Sequence, residues 1–385
     1  MTRFSLSLCI LVTSFAQINA ADEYKSLFNG KDLSGWVNVN CAPSTFFVKG
    51  NEIITTGRPT GYLRTDKQYE NFVMEFEWMH VREKDMANSG LFVWCDPLPA
   101  VGTGYTRGIE VQVLINFETD WATSDGDLFS IWGAHCKPDR PHPKGYERCL
   151  PSEKRVKGAG QWNHYKVTGN NGVLKLEVNG KEVSGVSQCN PRKGYLALES
   201  EGAECHFRNL KIRELSSTNP KPEECAKVWD GHECLFDGLT LNGWKAEHGS
   251  WSANDGVVKP KGKTTLETVK DYQQFELIFD WKLPEKSKAD FAVVFGKNQS
   301  FSFRDADGGK RGKWNRTKLD FTNKGTTFQT NASGISGRNI QCLQPLAVLL
   351  AGWKFHRRLG FRTREARART EAGAVGAETF LLMIA

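Results

Sequence analysis

Leu27, Phe28, Gly30, Leu33, Gly35 and Trp36 recur in the same spacing as Leu235, Phe236, Gly238, Leu241, Gly243 and Trp244, so six of ten positions in this segment are repeated. A second set follows: Lys67, Tyr69, Phe72, Phe76 and Trp78 match Lys270, Tyr272, Phe275, Phe279 and Trp281. Whatever fold the chain adopts must therefore be one that can be built twice, and its 385 residues agree with two modules better than with one core. The copies are unequal. Trp162-Asn163 returns as Trp314-Asn315, but the spacing between copies falls by about fifty residues here, so the second module is expected to be truncated.

The fold class follows from periodicity. Phe72, Met74, Phe76 and Trp78 alternate with Val73, Glu75, Glu77 and Met79, which is the period-2 pattern of a half-buried strand. Leu174 to Val178, Asn179-Gly180 and Lys181 to Val186 read as a hairpin, because Asn-Gly accepts the positive φ angles of a two-residue turn. Few stretches carry a helical period. The expectation is an all-β jelly-roll sandwich over 21–215, a linker over 216–233 (Ser216 to Pro222 by composition), a second incomplete sandwich over 234–330 and an irregular tail over 331–385. In that tail Asp disappears and Arg and Ala accumulate. It reads either as a disordered or helical extension or as an aberrant C-terminus from a frameshift, and the second reading is favoured because closing strands are still missing where the tail begins.

Residues 1–20 have the pattern of an export signal, with Arg3, an apolar run from Leu6 to Phe15 and Ala20 at a small-residue cleavage site. The run is too short to span a bilayer, so no integral membrane segment is expected in the mature chain and its location is expected to be periplasmic or extracellular. The net charge of +7 would raise the question of a nucleic-acid partner, but Arg3 and the tail's 8 basic against 3 acidic residues hold nearly all of it. A nucleic-acid partner is not expected. Export permits disulfides, with Cys136 and Cys149 bracketing a Pro-rich loop, Cys225 and Cys234 closing a small one, and Cys342 left over. A zinc site from His135, Cys136, His142 and Cys149 is the weaker alternative, because the close ligand pairs of zinc modules are missing.

The chemistry is expected on 107–115. Ile109, Val111, Val113 and Ile115 share an apolar face, which places Glu110 and Gln112 together on the other, roughly 6.6 Å apart. The competing reading is an ordinary solvated outer face. Trp121 and Trp132 are candidate stacking platforms for a ligand ring or core residues. Arg58, Arg107 and His135 are candidate polar contacts. Glu199, in a cluster with Glu201, is a candidate for binding a hydroxyl or a divalent cation; no cofactor is fixed by the sequence beyond that option.

These segments resemble the bacterial 3-keto-disaccharide hydrolase family. The residues that carry the resemblance are Leu27 to Trp36, Gly61 to Asp66, Asn88 to Phe92, Ile109 to Leu114, Gln161 to Tyr165 and Arg208 to Ile212, covering essentially all of 25–215. The resemblance implies a concanavalin A-like jelly-roll sandwich, export, and action on sugars. Related glucanases carry Glu-x-Asp-x-x-Glu on one strand; the corresponding series here reads Glu110, Gln112, Ile115, so the second carboxylate of a retaining glycosidase is missing from it. A sugar oxidised at C3 needs only a base at C2, because the ketone acidifies that proton. The resemblance thus implies a carbohydrate or glycoside substrate, Glu110 as base and Gln112 as its partner. At the Glu199 cluster the family has an amide, an acid and a histidine, a departure from the pattern. The second copy is expected to be inert, because the residues missing from it span the counterpart of Glu110 and Gln112 and the tail replaces that of Glu199. The competing classes are a non-catalytic, lectin-like sugar-binding module and a disulfide-held structural protein of the cell surface.

Overall fold

The computed structural model describes residues 23–116, 125–262, 264–272, 274–286, 290–295, 299–303, 309–322, 325–331, 333–336 and 344–351. Nearly all ordered segments are strands, and the only described helical piece is a 3-10 turn at Pro222–Glu224. The first half is a two-sheet sandwich. Its back sheet of nine strands runs in spatial order His135–Pro138, Lys181–Asn190, Val173–Val178, Asn163–Asn170, Phe72–His80, Cys205–Glu214, Glu52–Thr55 and Phe46–Lys49, with Lys25–Ser26 on the side of Cys205–Glu214. The front sheet of seven runs Arg148–Cys149, Leu128–Ile131, Gly108–Ile115, Ala87–Cys95, Tyr195–Ser200, Gly61–Thr65 and Trp36–Val39.

The pleat explains the sandwich. Phe72, Met74, Phe76 and Trp78 are wholly buried against the front sheet's Leu91, Val93, Ile109, Val111 and Val113. On the solvent side of the same back strand, Glu75 pairs with Lys211 at 3.0 Å and Glu77 with Arg208 at 2.9 Å. The Asn179-Gly180 hairpin forms as expected, with Val178 opposite Lys181 and φ of 48° and 85° at the two turn residues. The jelly-roll expectation is met.

The second half repeats this order with fewer strands and its own core of Phe236, Trp244, Phe279, Trp281, Phe291 and Leu319. One sheet runs Trp244–Ala246, Thr265–Tyr272, Gln344–Ala351, Asp290–Phe295 and Gln299–Phe303; a second runs Phe275–Trp281, Asn315–Thr322, Gly325–Thr330 and Ser333–Ser336; and Trp251–Asn254 pairs with Val257–Pro260 in a two-stranded third. Two expectations change here. Residues 333–336 and 344–351, assigned to an irregular tail, are strands, and Gln344–Ala351 takes the position that Tyr195–Ser200 holds in the first half. The strand corresponding to Gly108–Ile115 is also present, as Gln299–Phe303, but it is short and its five residues include no acid. The repeated Trp explains the repeated signature: Trp36 Nε1 donates to Leu27 O at 2.8 Å, and Trp244 Nε1 to Leu235 O at 2.7 Å.

No disulfide forms among the described residues. Cys136 and Cys149 are buried thiols of the core, with Cys136 Sγ against Glu147 O at 3.6 Å and Cys149 Sγ against Leu150 O at 3.7 Å. Cys225 and Cys234 are likewise unbridged, and Cys342 lies outside the described residues. The sequence argument weighed compartment and spacing, whereas free Cys also packs as a small apolar side chain. The export signal lies outside the described residues, and no described helix is long and apolar enough to cross a membrane.

Candidate active site

Glu110 and Gln112 lie on the outer face of the front sheet, where the alternation of Gly108–Ile115 puts them, but that face is not solvated: only 6% and 3% of their surfaces are exposed. The reason is their neighbours. Gly90 stands opposite Gln112, Phe92 opposite Glu110 and opposite Ala197 on the far side, so the residue of Tyr195–Ser200 that falls beside Gly90 is Glu199. Gly90 leaves a gap into which two carboxyls close. A Cβ there would lie 2.9 Å from Glu199 Oε2 and 3.0 Å from Glu110 Oε1, which puts these oxygens within about 6 Å of each other.

Glu201 completes the acidic cluster from just past the end of the strand that carries Glu199. Tyr105 Oη donates to its Oε1 at 2.6 Å and the Asn88 amide donates to its Oε2, while Gln112 Nε2 donates to Asn88 Oδ1. Gln112 is therefore linked to Glu201 through Asn88, and its amide N–H is committed to that link. Its main chain is fixed as well, since Gln112 N donates to Asp127 O at 3.0 Å and Tyr165 Oη donates to Gln112 O at 2.9 Å.

Burial first, then the negative charge of Glu201, pushes the Glu110 carboxyl well above the usual carboxylate range, with Arg148 pulling the other way and Asp127 adding to the rise. Glu199 is raised by burial and then by Glu110 and Glu201. Neither of its oxygens meets a hydrogen-bond partner of good geometry; the approach of Glu201 is close enough for each to shift the other but falls short of a well-formed bond. Glu201 is also raised by burial, less so because Tyr105 and Glu199 stabilise its anion. Three carboxyls so placed ionise in turn and not together, so that where an exposed Glu is ionised part of the cluster still holds protons, which supplies a base and an acid in one site.

The cluster opens into a cavity of about 800 Å³. Glu110, Gln112, Asn88, Tyr105 and Glu201 line its floor, and Trp132, 52% exposed, stacks on Tyr105 with ring centroids 6.0 Å apart and planes 13° apart. Arg148 lines it too, held by Asp127 at 2.8 Å and lying over the Phe129 ring at 3.4 Å. His135 is an exposed rim residue whose Nδ1 lies 3.3 Å from Glu147 Oε1.

The structure thus brings together Glu110, Gln112, Glu199, Trp132 and His135. Arg107 lies elsewhere, pairing with Asp96 at 2.9 and 3.2 Å. Arg58 is exposed outside the cavity lining, and its carbonyl accepts from Thr45 and Thr56. Trp121 lies outside the described residues. Tyr105, Asn88, Arg148 and the hydrogen-bonded role of Glu201 were not singled out from sequence, because they join the site from different loops and strands. Among the described residues no group of three or more His, Cys, Asp or Glu side chains is arranged to hold a metal ion. His142 Nδ1 instead accepts from Lys144 N at 3.0 Å.

Gly90→Ala tests the cluster by geometry. The new methyl would meet both carboxyls and Glu110 Cγ at 3.2 Å, so it should separate Glu110 from Glu199 and lower activity at least about 10²-fold with the fold retained. A crystal structure of the variant with unmoved carboxyls, or an unchanged kcat, would count against a joint role.

The model of the 3-keto-alpha-glucoside-1,2-lyase-like domain matches residues 23–213 and again 231–342, most of the chain. The chain belongs to that family. Both matched segments of this lyase-like family carry the repeated Trp signature, and among the described residues only the first carries the carboxyl cluster. Among solved structures, a candidate glycosyl hydrolase from Parabacteroides distasonis is 21% identical, covering 52% of this chain and 98% of its own at a TM-score of 0.40. A second from the same organism is 19% identical, covering 50% and 100% at 0.38. A carbohydrate-binding module from Bacillus subtilis is 11% identical, covering 47% and 96% at 0.34. No curated protein matches the chain.

Proposed function

We propose that the first half cleaves 3-keto-glycosides by elimination followed by hydration. The observation that carries this reading is that Glu110 and Glu201 line an open cavity while buried Glu199 lies behind them, facing Glu110 across Gly90 and close to Glu201. In the first step an ionised Glu110 takes the proton from C2, which the adjacent ketone makes acidic, and the electron pair moves into an enolate. The C1–O bond then breaks, the pair forms the C1=C2 double bond, and the departing oxygen takes a proton from Glu201, which lines the cavity and which buried Glu199 beside it can reprotonate. Water adds across the double bond, with hydroxyl to C1 and hydrogen to C2, which releases the 3-keto sugar and returns the protons to the cluster. Gln112, with its amide fixed on Asn88, orients this set of side chains. Trp132 offers an indole face to the pyranose.

The exposed Trp132 on Tyr105 also favours a second reading, a sugar-binding module without turnover. The two separate on one measurement: the full chain is offered a 3-keto-glucoside and the unoxidised glucoside in deuterated water. The enzymatic reading expects turnover of the keto sugar alone with deuterium at C2. Binding of both sugars without turnover would favour the second. In either case Trp132→Ala should weaken sugar affinity by about 10-fold, through loss of one stacking face.

A further inference from the structure

The second half has no acid on the strand that corresponds to Gly108–Ile115, yet it touches both loops that border the cavity floor. The first is the loop between Asp96 and Arg107, which carries Tyr105. Buried Asp280 accepts from Gly102 N at 2.8 Å while its two oxygens hold Arg316 at 2.7 and 2.8 Å. The Trp314 ring lies directly on Gly102: a Cβ at residue 102 would fall 2.1 Å from Trp314 Cγ, and φ of +74° there also favours glycine. The second loop precedes Gly61–Thr65. Asp255 Oδ1 accepts from Thr60 N at 2.9 Å, Pro59 packs against Gly238, and Pro59 O accepts from Ser200 Oγ at 2.9 Å, next to Glu201.

We propose that the second half is a clamp for the active site, in which Trp314 and Asp280 hold the Gly102 turn so that Tyr105 stays aimed at Glu201 and stacked under Trp132. Trp314 and Asp280 are positioning residues, since neither lines the cavity. The landmark Trp-Asn pair has been put to two uses. In the first half Trp162 packs under the Arg208 guanidinium at 3.8 Å, whereas in the second Trp314 presses on another module's loop. Asn163 and Asn315 keep the same task, each side chain accepting a main-chain N–H, from Lys157 at 2.7 Å and Lys310 at 2.8 Å. A duplicated sandwich that lost its acids thus retained a reason to stay attached.

The role of Tyr105 rests on the function proposed above, so the test reads the loop separately from turnover. In the full chain carrying Trp314→Ala, the amides of Ala100, Thr103 and Tyr105, which are bonded within the loop, should exchange with deuterium about 10-fold faster. Strands of both cores should stay protected, and Trp314→Phe should restore slow exchange. On a keto-glycoside, kcat should fall about 10-fold, more than KM changes, and adding Tyr105→Phe should bring little further loss. Unchanged loop exchange, or losses from Trp314→Ala and Tyr105→Phe that simply multiply, would overturn the clamp. Faster loop exchange in a chain that turns over no keto sugar would uphold the clamp and remove only the proposed reaction. If Trp314→Ala does not fold, Gly102→Ala disturbs the same contact from the other side, and slow loop exchange in it overturns the proposal equally.

Discussion

Glu110→Gln should lower kcat on a 3-keto-glycoside by about 10³-fold while leaving the chain folded. The amide keeps the shape of the side chain and cannot take the C2 proton. The same substitution should stabilise the first half at neutral pH, because it removes a buried acid whose ionisation burial and Glu201 disfavour and whose own charge disfavours that of Glu199. The sign follows from linkage. The folded state binds these protons more tightly than the unfolded chain, so the stabilisation is fully present below the ordinary Glu range and is lost as pH rises towards the raised folded values. Wild-type thermal stability of the first half should therefore decline as pH rises from the ordinary Glu range, and Glu110→Gln should flatten that decline. Full activity in the variant would remove Glu110 as base; an unchanged pH slope would mean that the carboxyls do not share their charge.

Arg64→Ala should cost about 3 to 5 kcal/mol of stability. Arg64 is wholly buried on the outer face of that sheet. Its guanidinium lies between the Tyr195 and Trp229 rings, at 4.5 and 4.6 Å from their centroids, and donates to Pro97 O at 3.2 Å and Thr65 O at 2.9 Å. Truncation removes two hydrogen bonds, leaves a cavity between two rings and loosens the start of the Tyr105 loop. Arg64→Lys should recover little, since an ammonium cannot lie as a plane between two rings. Urea unfolding followed by Trp fluorescence measures the difference, and a loss below about 1 kcal/mol would show that the sandwiched cation contributes little.

The strands were legible because each is a local pattern. Phe72 to Trp78 needs no partner to announce its buried face, and Asn179-Gly180 sets its own turn. The placement of Glu110 beside Gln112 was legible for the same reason. That Glu199 would meet Glu110 was not, because the two are separated by most of the module and meet only through the order of three strands, with Gly90 as the gap between them. A second carboxylate was sought on Glu110's own strand, whereas the carboxyl that faces Glu110 comes from the strand two places away. Arg107 misled in the opposite way: it precedes Glu110 closely, yet its side chain turns to Asp96. The cysteines misled because spacing and compartment say nothing about how well a thiol packs in a core.

Trp229 bears on where this chain can be divided. The apparent linker, judged by its Ser, Thr and Pro, carries at its far end the ring that covers Arg64 and donates its Nε1 to His232 O at 3.2 Å. Just before it, Gln68 donates to Ala226 O and Lys227 O, and Lys227 N donates to Asp96 at 2.9 Å. A fragment ending at Leu215 would expose Tyr195 and Arg64 and should aggregate or melt early. One ending after His232 keeps that cover. The evolutionary unit and the cooperative unit end at different residues, and a recombinant first half should follow the second.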